Sequence, residues 1–180
     1  MSFTQRRLYE AILADHFTNH RQMALVAGPR QVGKTTLCAS FTGPDRLLNW
    51  DRPEHRGLML KGVEPVAEHF GLNRLAAKPP CVGFDELHKF GRWKAFLKGF
   101  FDGYADRAHI VVTGSSRLDV FRRGSDSLMG RYFLFRMHPL SVGELLRTEL
   151  PTQPVAPAAP LAGEAWDALW VHGGFPEPFL

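Results

Sequence analysis

Nine consecutive residues, Gly28, Pro29, Arg30, Gln31, Val32, Gly33, Lys34, Thr35 and Thr36, contain the pattern G-x-x-x-x-G-K-[ST]. This spacing suits one task. A loop that wraps a phosphate must turn successive backbone N–H groups inward, and glycines are needed where a side chain would block the ligand. A helix starting at the loop's end adds its free N–H groups and its positive dipole end. Lys34 supplies a mobile point charge that reaches the β- and γ-phosphates, and the Thr35 hydroxyl is a ligand for Mg²⁺. From this chain's own composition, chance would produce the pattern in roughly 0.4% of such sequences. The motif also follows an apolar stretch and opens a helical one, which is the context the chemistry requires.

A second group is Cys81-Val82-Gly83-Phe84-Asp85-Glu86. An apolar strand that ends in two acids puts a carboxylate at the strand's C-terminal end, where α/β sheets bind their ligands. Asp85 is the candidate carboxylate for Mg²⁺, and Glu86 the group that polarises an attacking water. Asp51 also ends an apolar stretch and is the rival for the metal, but no Glu follows it. The third group is the strand-like HIVV run leading into Thr113-Gly114-Ser115-Ser116. Thr113 or Ser115 could stand beside the water and the γ-phosphate, although Gly-Ser-Ser is also ordinary turn chemistry. The fourth is a set of arginines: Arg117, Arg122, Arg123, Arg131 and Arg136. An Arg aimed at the γ-phosphate stabilises transition-state charge and can do so from another subunit. Arg131 is the first candidate, and Arg122 or Arg123 the next. His88 reads as a surface or helix-start residue.

These groups need a frame. Residues 23–28, 46–50, 81–84, 109–113 and 132–135 are short, continuous apolar runs, as strands of a sheet covered on both faces tend to be. Helical spacing appears over residues 4–20, from Lys34 towards Phe41, over 54–76 with breaks near Gly62 and Gly71, and over 117–121. It also appears over 87–104, where a Phe/Trp stripe reads as core packing, and over 141–149, where Ser141 and Glu144 form a capping box. The alternation predicts an α/β protein: a three-layer αβα domain with a mainly parallel sheet over residues 1–150. Residues 151–163 have a linker composition rich in Pro and Ala, and 164–180 read as the start of a further region.

Composition sets the outer limits. The chain has 180 residues, 22 basic against 18 acidic, and 16 of the basic residues are Arg. That balance permits a nucleic-acid or polyphosphate partner without demanding one. Its 14 Phe, 4 Trp and 3 Tyr exclude a mostly disordered chain. No apolar run approaches the roughly 20 residues of a membrane span, and no secretory leader is visible. Cys38 and Cys81 have no zinc spacing and read as buried thiols, which fits a cytoplasmic setting.

Taken together, GPRQVGKTTL, LNWD, FDELHKF with Trp93, VVTGSSRLD and SDSLMGRYFLFRMHPLSVGEL resemble a family of prokaryotic AAA+-type ATPases. Members carry an N-terminal ATPase core and a separate C-terminal domain of poorly understood function. The likeness runs from about Arg6 to Pro178, and GGFPEP is similar to the segment leading towards the second domain. The resemblance implies strand order 5-1-4-3-2, ATP as nucleotide and Mg²⁺ as metal. It assigns Gly28, Gly33, Lys34 and Thr35 to the phosphate loop, Asp85 and Glu86 to the acidic pair, Ser115 to a sensor-like position, and Arg131 to the Gly-Arg after SLMG. It also implies a core whose apolar C-terminus continues in relatives.

Three functions compete on these residues. The first is Mg²⁺-dependent ATP hydrolysis coupled to a protein or nucleic-acid target, with self-association supplying an Arg in trans. The second is a nucleotide-dependent interaction module with little turnover. The third is a small-molecule kinase, which the acidic pair disfavours because it points to water as acceptor.

Overall fold

The computed structural model describes residues 6–74, 76–115, 128–150, 153 and 159–179. The expected helix at 117–121 and most of the proline-rich stretch 151–163 lie outside the described residues.

Five strands form one parallel sheet: β1 Met23–Ala27, β2 Leu47–Asn49, β3 Cys81–Asp85, β4 His109–Gly114 and β5 Tyr132–Arg136. Read from the β5 edge, their order is β5-β1-β4-β3-β2, and every adjacent pair runs parallel. β1, flanked by β4 and β5, is buried along its whole length. Its side chains alternate between the two faces. Met23 and Leu25 join one core with Val82, Phe84, Ile110 and Val112, while Ala24 and Val26 join the other with Val111. This double burial is why the strand reads as a continuous apolar run.

Helices cover both faces. Helix α1 (Arg7–Asn19) and helix α2 (Lys34–Thr42) contribute Leu13, Leu37 and Cys38 to the Ala24/Val26 side. Helices α3 (Pro53–Leu60), α4 (Val63–His69) and α5 (Trp93–Tyr104) cover the other side. The aromatic stripe of α5 is core. Phe100 meets Phe84 edge-on at 5.1 Å, and Phe96 meets it at 5.5 Å. Two short-range expectations are refined. The helical stretch expected over 54–76 breaks at Gly62, as expected, where φ is 115°, but its second helix already ends at His69. The helix expected over 87–104 begins only at Trp93, after a separate 3-10 turn at Leu87–Lys89. The capped helix expected over 141–149 is the shorter α6 (Val142–Leu146): the Ser141 Oγ accepts from the Glu144 N–H at 3.3 Å, while the Glu144 carboxylate binds Arg6. Helices α7 (Gly163–His172) and α8 (Pro176–Phe179) follow. Cys38 and Cys81 are free thiols, and burial pushes Cys81 up to about 12.

Burial also lowers the pKa of four histidines. His16 sits among Phe17, Phe133 and Phe135, and desolvation is the main cause of its shift, as it is for His55, His88 and His109. A depressed histidine favours the fold above its unfolded value near 6.5 and opposes it as pH falls, because the unfolded chain then binds more protons. The melting temperature should therefore fall between pH 7.5 and 5.5 in a buffer series. An unchanged midpoint would mean that these imidazoles titrate as if exposed.

Candidate functional site

The phosphate loop joins the C-terminal end of β1 to the start of α2. Its shape depends on two glycines. Gly33, the residue before α2, has φ 92°, a left-handed conformation that L side chains rarely adopt. A Cβ on Gly28 would lie 2.1 Å from the Met137 carbonyl oxygen, in the segment that continues β5. Gln31 also has positive φ, 62°. Lys34 is the first residue of α2 and is buried, with its Nζ donating to the Pro29 carbonyl across the loop. Burial lowers the pKa of the Lys34 ammonium, and the Glu86 and Asp85 carboxylates partly restore it.

Asp85 is the centre of the polar network. It ends β3 and is 1% exposed. Its Oδ2 accepts from the Thr35 hydroxyl at 2.9 Å and from the Asn49 amide at 2.8 Å, and its Oδ1 accepts from the Thr113 hydroxyl. Close packing makes this possible. A Cβ on Gly83 would come within 2.7 Å of Cys38 Sγ, so Gly83 lets α2 approach the sheet and brings Thr35 to Asp85. The resulting donor set, one carboxylate and one hydroxyl beside a phosphate-binding loop, is all oxygen. It fits Mg²⁺, which binds through one or two protein oxygens and keeps the rest of its shell for phosphates and water. Among the described residues there is no cluster of three or more His, Cys, Asp or Glu that would hold a metal without such help.

Glu86 follows in a left-handed turn, φ 57° and ψ 22°, which breaks the chain away from β3. Its Oε2 lies 3.2 Å from Lys89 Nζ and 3.8 Å from His88 Nε2. Ser115, one residue past β4, places its Oγ 3.1 Å from the same His88 nitrogen. His88 Nδ1 is buried with no hydrogen-bond partner. Burial is the main cause that lowers the His88 pKa, and the nearby Glu86 carboxylate partly restores it.

The structure thus brings together Lys34, Thr35, Asp85, Thr113, Glu86 and Ser115. The two candidate hydroxyls separate: Thr113 is wholly buried against Asp85, while Ser115 sits beyond the strand end near Glu86's neighbour His88. Arg131 is not brought to the loop. It precedes Tyr132, which pairs with Met23 at the far end of β1, about 13 Å along the strand from Ala27. Its guanidinium binds Asp102 on α5, with Nε 2.7 Å from Oδ1. Arg136 pairs with Ala27 at the loop end of the sheet and is exposed. Arg117, Arg122 and Arg123 lie outside the described residues. Asp51 is half-exposed and salt-bridged to Lys89, while the Thr35 hydroxyl donates to Asp85.

Sequence reasoning missed three residues. Asn49 stands in register with Asp85 across the β2–β3 pair, so strand pairing, not charge, selects it over Asp51. Arg6 and Glu144 meet behind the loop from positions 138 residues apart, and no local pattern joins them.

One family model covers most of the chain. A family described as "AAA domain" matches residues 20–146, which contain the phosphate loop, Asp85–Glu86 and all five strands. The chain belongs to the AAA domain family. It is an AAA+-type P-loop ATPase core, a nucleotide-binding domain. Two uncharacterized mycobacterial proteins, Mb2031c of Mycobacterium bovis and Rv2008c of Mycobacterium tuberculosis, are each 25% identical to it over 159 residues. The match takes in 87% of this AAA domain chain and 30% of each relative, so the chain spans about a third of the length of the curated relatives it matches. Among solved structures, C. elegans PCH-2 aligns at TM-score 0.45 and 17% identity, over 74% of this chain and 41% of that one. The STAND protein PH0952 of Pyrococcus horikoshii, with a tetratricopeptide repeat sensor, aligns at TM-score 0.49 and 12% identity, over 93% and 26%. No helix among the described residues is long and apolar enough to cross a membrane.

Proposed function

We propose that this chain hydrolyses ATP in a Mg²⁺-dependent reaction on the Gly28–Thr36 loop, and that the cycle drives or gates a partner protein or nucleic acid. The observation that carries the reading is the direct Thr35–Asp85 hydrogen bond at 2.9 Å. It joins the loop's hydroxyl to the strand-end carboxylate, the two protein ligands the metal needs.

Thr35 and Asp85 would hold Mg²⁺, which would lower the cost of the charge that develops on the phosphates. Thr35 gives the hydroxyl oxygen, and Asp85 acts as the carboxylate ligand. Asn49 and Thr113 keep that carboxylate in place by donating to it. Lys34 leaves the Pro29 carbonyl for the phosphates. Glu86 orients a water for in-line attack and takes its proton. The new bond joins the water oxygen to the γ-phosphorus, the bond to the β–γ bridging oxygen breaks, and ADP and phosphate leave. Ser115 would report the γ-phosphate, with His88 beside it. Arg131 would reach a γ-phosphate only in another copy of the chain, since its own loop lies at the opposite end of β1.

The test is phosphate release from ATP with and without Mg²⁺, beside ATP-dependent melting. The account expects release only with the metal. Stabilisation by ATP with no release under any condition would make the chain a nucleotide-dependent interaction module.

A further inference from the structure

The phosphate loop is held from behind by a buried ion pair that the chemistry above does not use. Arg6, just before α1, is 4% exposed, and Glu144 on α6 is 8% exposed. The guanidinium binds Glu144 two-pronged, through Nε to Oε1 and through Nη2 to Oε2 at 2.6 Å. Two of its other three donors go to main-chain carbonyls. Nη1 donates to Val32 O at 2.7 Å, and Nη2 donates to His138 O at 2.7 Å. The Tyr9 ring lies 5.0 Å from the guanidinium carbon.

Val32 is inside the phosphate loop, and the peptide that follows it carries the Gly33 N–H. In a trans peptide the C=O and N–H point to opposite sides. All peptides of the described residues are trans. A cation fixed on the Val32 carbonyl therefore turns the Gly33 N–H away from itself and polarises it as a donor. A phosphate is held by such N–H groups, so an anchor on the carbonyl side fixes the donors on the ligand side. Planar Arg suits this task, because its fork can satisfy a carboxylate and two carbonyls in one rigid arrangement.

We propose that Arg6, aligned by Glu144, is a positioning residue for the phosphate loop: it holds the Val32–Gly33 peptide in its binding orientation before nucleotide arrives. The inference rests on nucleotide binding at the loop and not on hydrolysis.

The test compares Mg·ATP affinity by calorimetry with nucleotide-free melting in three variants. Arg6→Met strands the Glu144 carboxylate, so it should melt lower and bind Mg·ATP about tenfold or more weakly. Arg6→Met/Glu144→Met removes both buried charges, so its melting should return towards wild type while its affinity stays weak. Glu144→Gln leaves the carbonyl contacts of Arg6 in place, so it should melt lower yet lose less than about threefold in affinity. A double variant that regains both stability and affinity would overturn the proposal, showing the pair to be structural support alone. So would a Glu144→Gln variant that loses as much affinity as Arg6→Met at the same melting loss. Phosphate release does not enter the readout. A wild-type chain that binds ATP without turnover would fail the hydrolysis reading and still report on Arg6.

Discussion

Lys34→Ala should lose tight ATP binding while the nucleotide-free protein stays as stable as wild type. The two effects have different origins. In the ligand-free chain the Lys34 ammonium is buried, its pKa is lowered by desolvation, and its Nζ is satisfied by the Pro29 carbonyl. Holding a charge there is a cost to the fold, and Ala at the first position of α2 also has the better helix propensity. In the proposed bound state the same charge would face phosphate oxygens. Removing one partner of a buried charged contact costs about 2–5 kcal/mol, so affinity should fall by about 30-fold or more. Melting curves with and without Mg·ATP check both halves. The unliganded midpoint should hold or rise, and the ATP-induced shift should vanish. An ATP shift that survives the substitution would remove Lys34 from the binding site.

Gly28→Ala should damage the fold before it damages the chemistry. The motif reading explains the first glycine by the phosphate it would crowd. The structure supplies a prior reason. An added Cβ would meet Met137 O at 2.1 Å and Met137 C at 3.1 Å. These are backbone atoms and cannot swing away. Met137 N also donates to Ala27 O at 2.8 Å, and the Met137 side chain is wholly buried in the core under α1 and α2. The extra methyl would push the end of β5 away from β1. We expect a loss of about 3 kcal/mol, the upper end of ordinary overpacking, or a fall of about 10 °C in melting temperature. A thermal melt of the nucleotide-free variant checks this, and a change under about 2 °C would mean that the loop yields freely at Gly28.

The contrast between these two positions shows what a sequence can carry. The Gly28–Thr36 loop was legible because phosphate chemistry imposes residue types at fixed spacing within one stretch. β1, β3 and β4 were legible because strands buried on both faces have no polar positions to interrupt them. The strand order came only from family resemblance, since periodicity within a strand says nothing about its neighbour. Local breaks were harder. Phe90, Trp93 and Phe96 keep a helical spacing through a region where Glu86 turns left-handed and Leu87–Lys89 makes a tighter turn, because the same apolar residues face the core in either form.

Contacts set by tertiary pairing were not legible at all. Asn49 reaches Asp85 because β2 and β3 pair in that register, whereas the acidic neighbour Asp51 stood out as a carboxylate at the end of an apolar stretch. Arg6 and Glu144 each look like a surface residue at a helix end. Only the fold brings them together behind Val32 and buries both. Arg131 shows the converse. Its motif context suggested the γ-phosphate, and the parallel β1–β5 register places it at the other end of the sheet, against Asp102.

The central claim is that Glu86 directs water at ATP held by the loop. Its most direct test is phosphate release from Mg·ATP by the wild-type chain beside Glu86→Gln, with nucleotide affinity measured on both. The substitution keeps the shape of the side chain and removes its ability to take a proton. The account predicts that Glu86→Gln binds Mg·ATP like wild type and releases phosphate at least about 100-fold more slowly, the low end of what general base catalysis contributes. Equal release rates in the two proteins would contradict it.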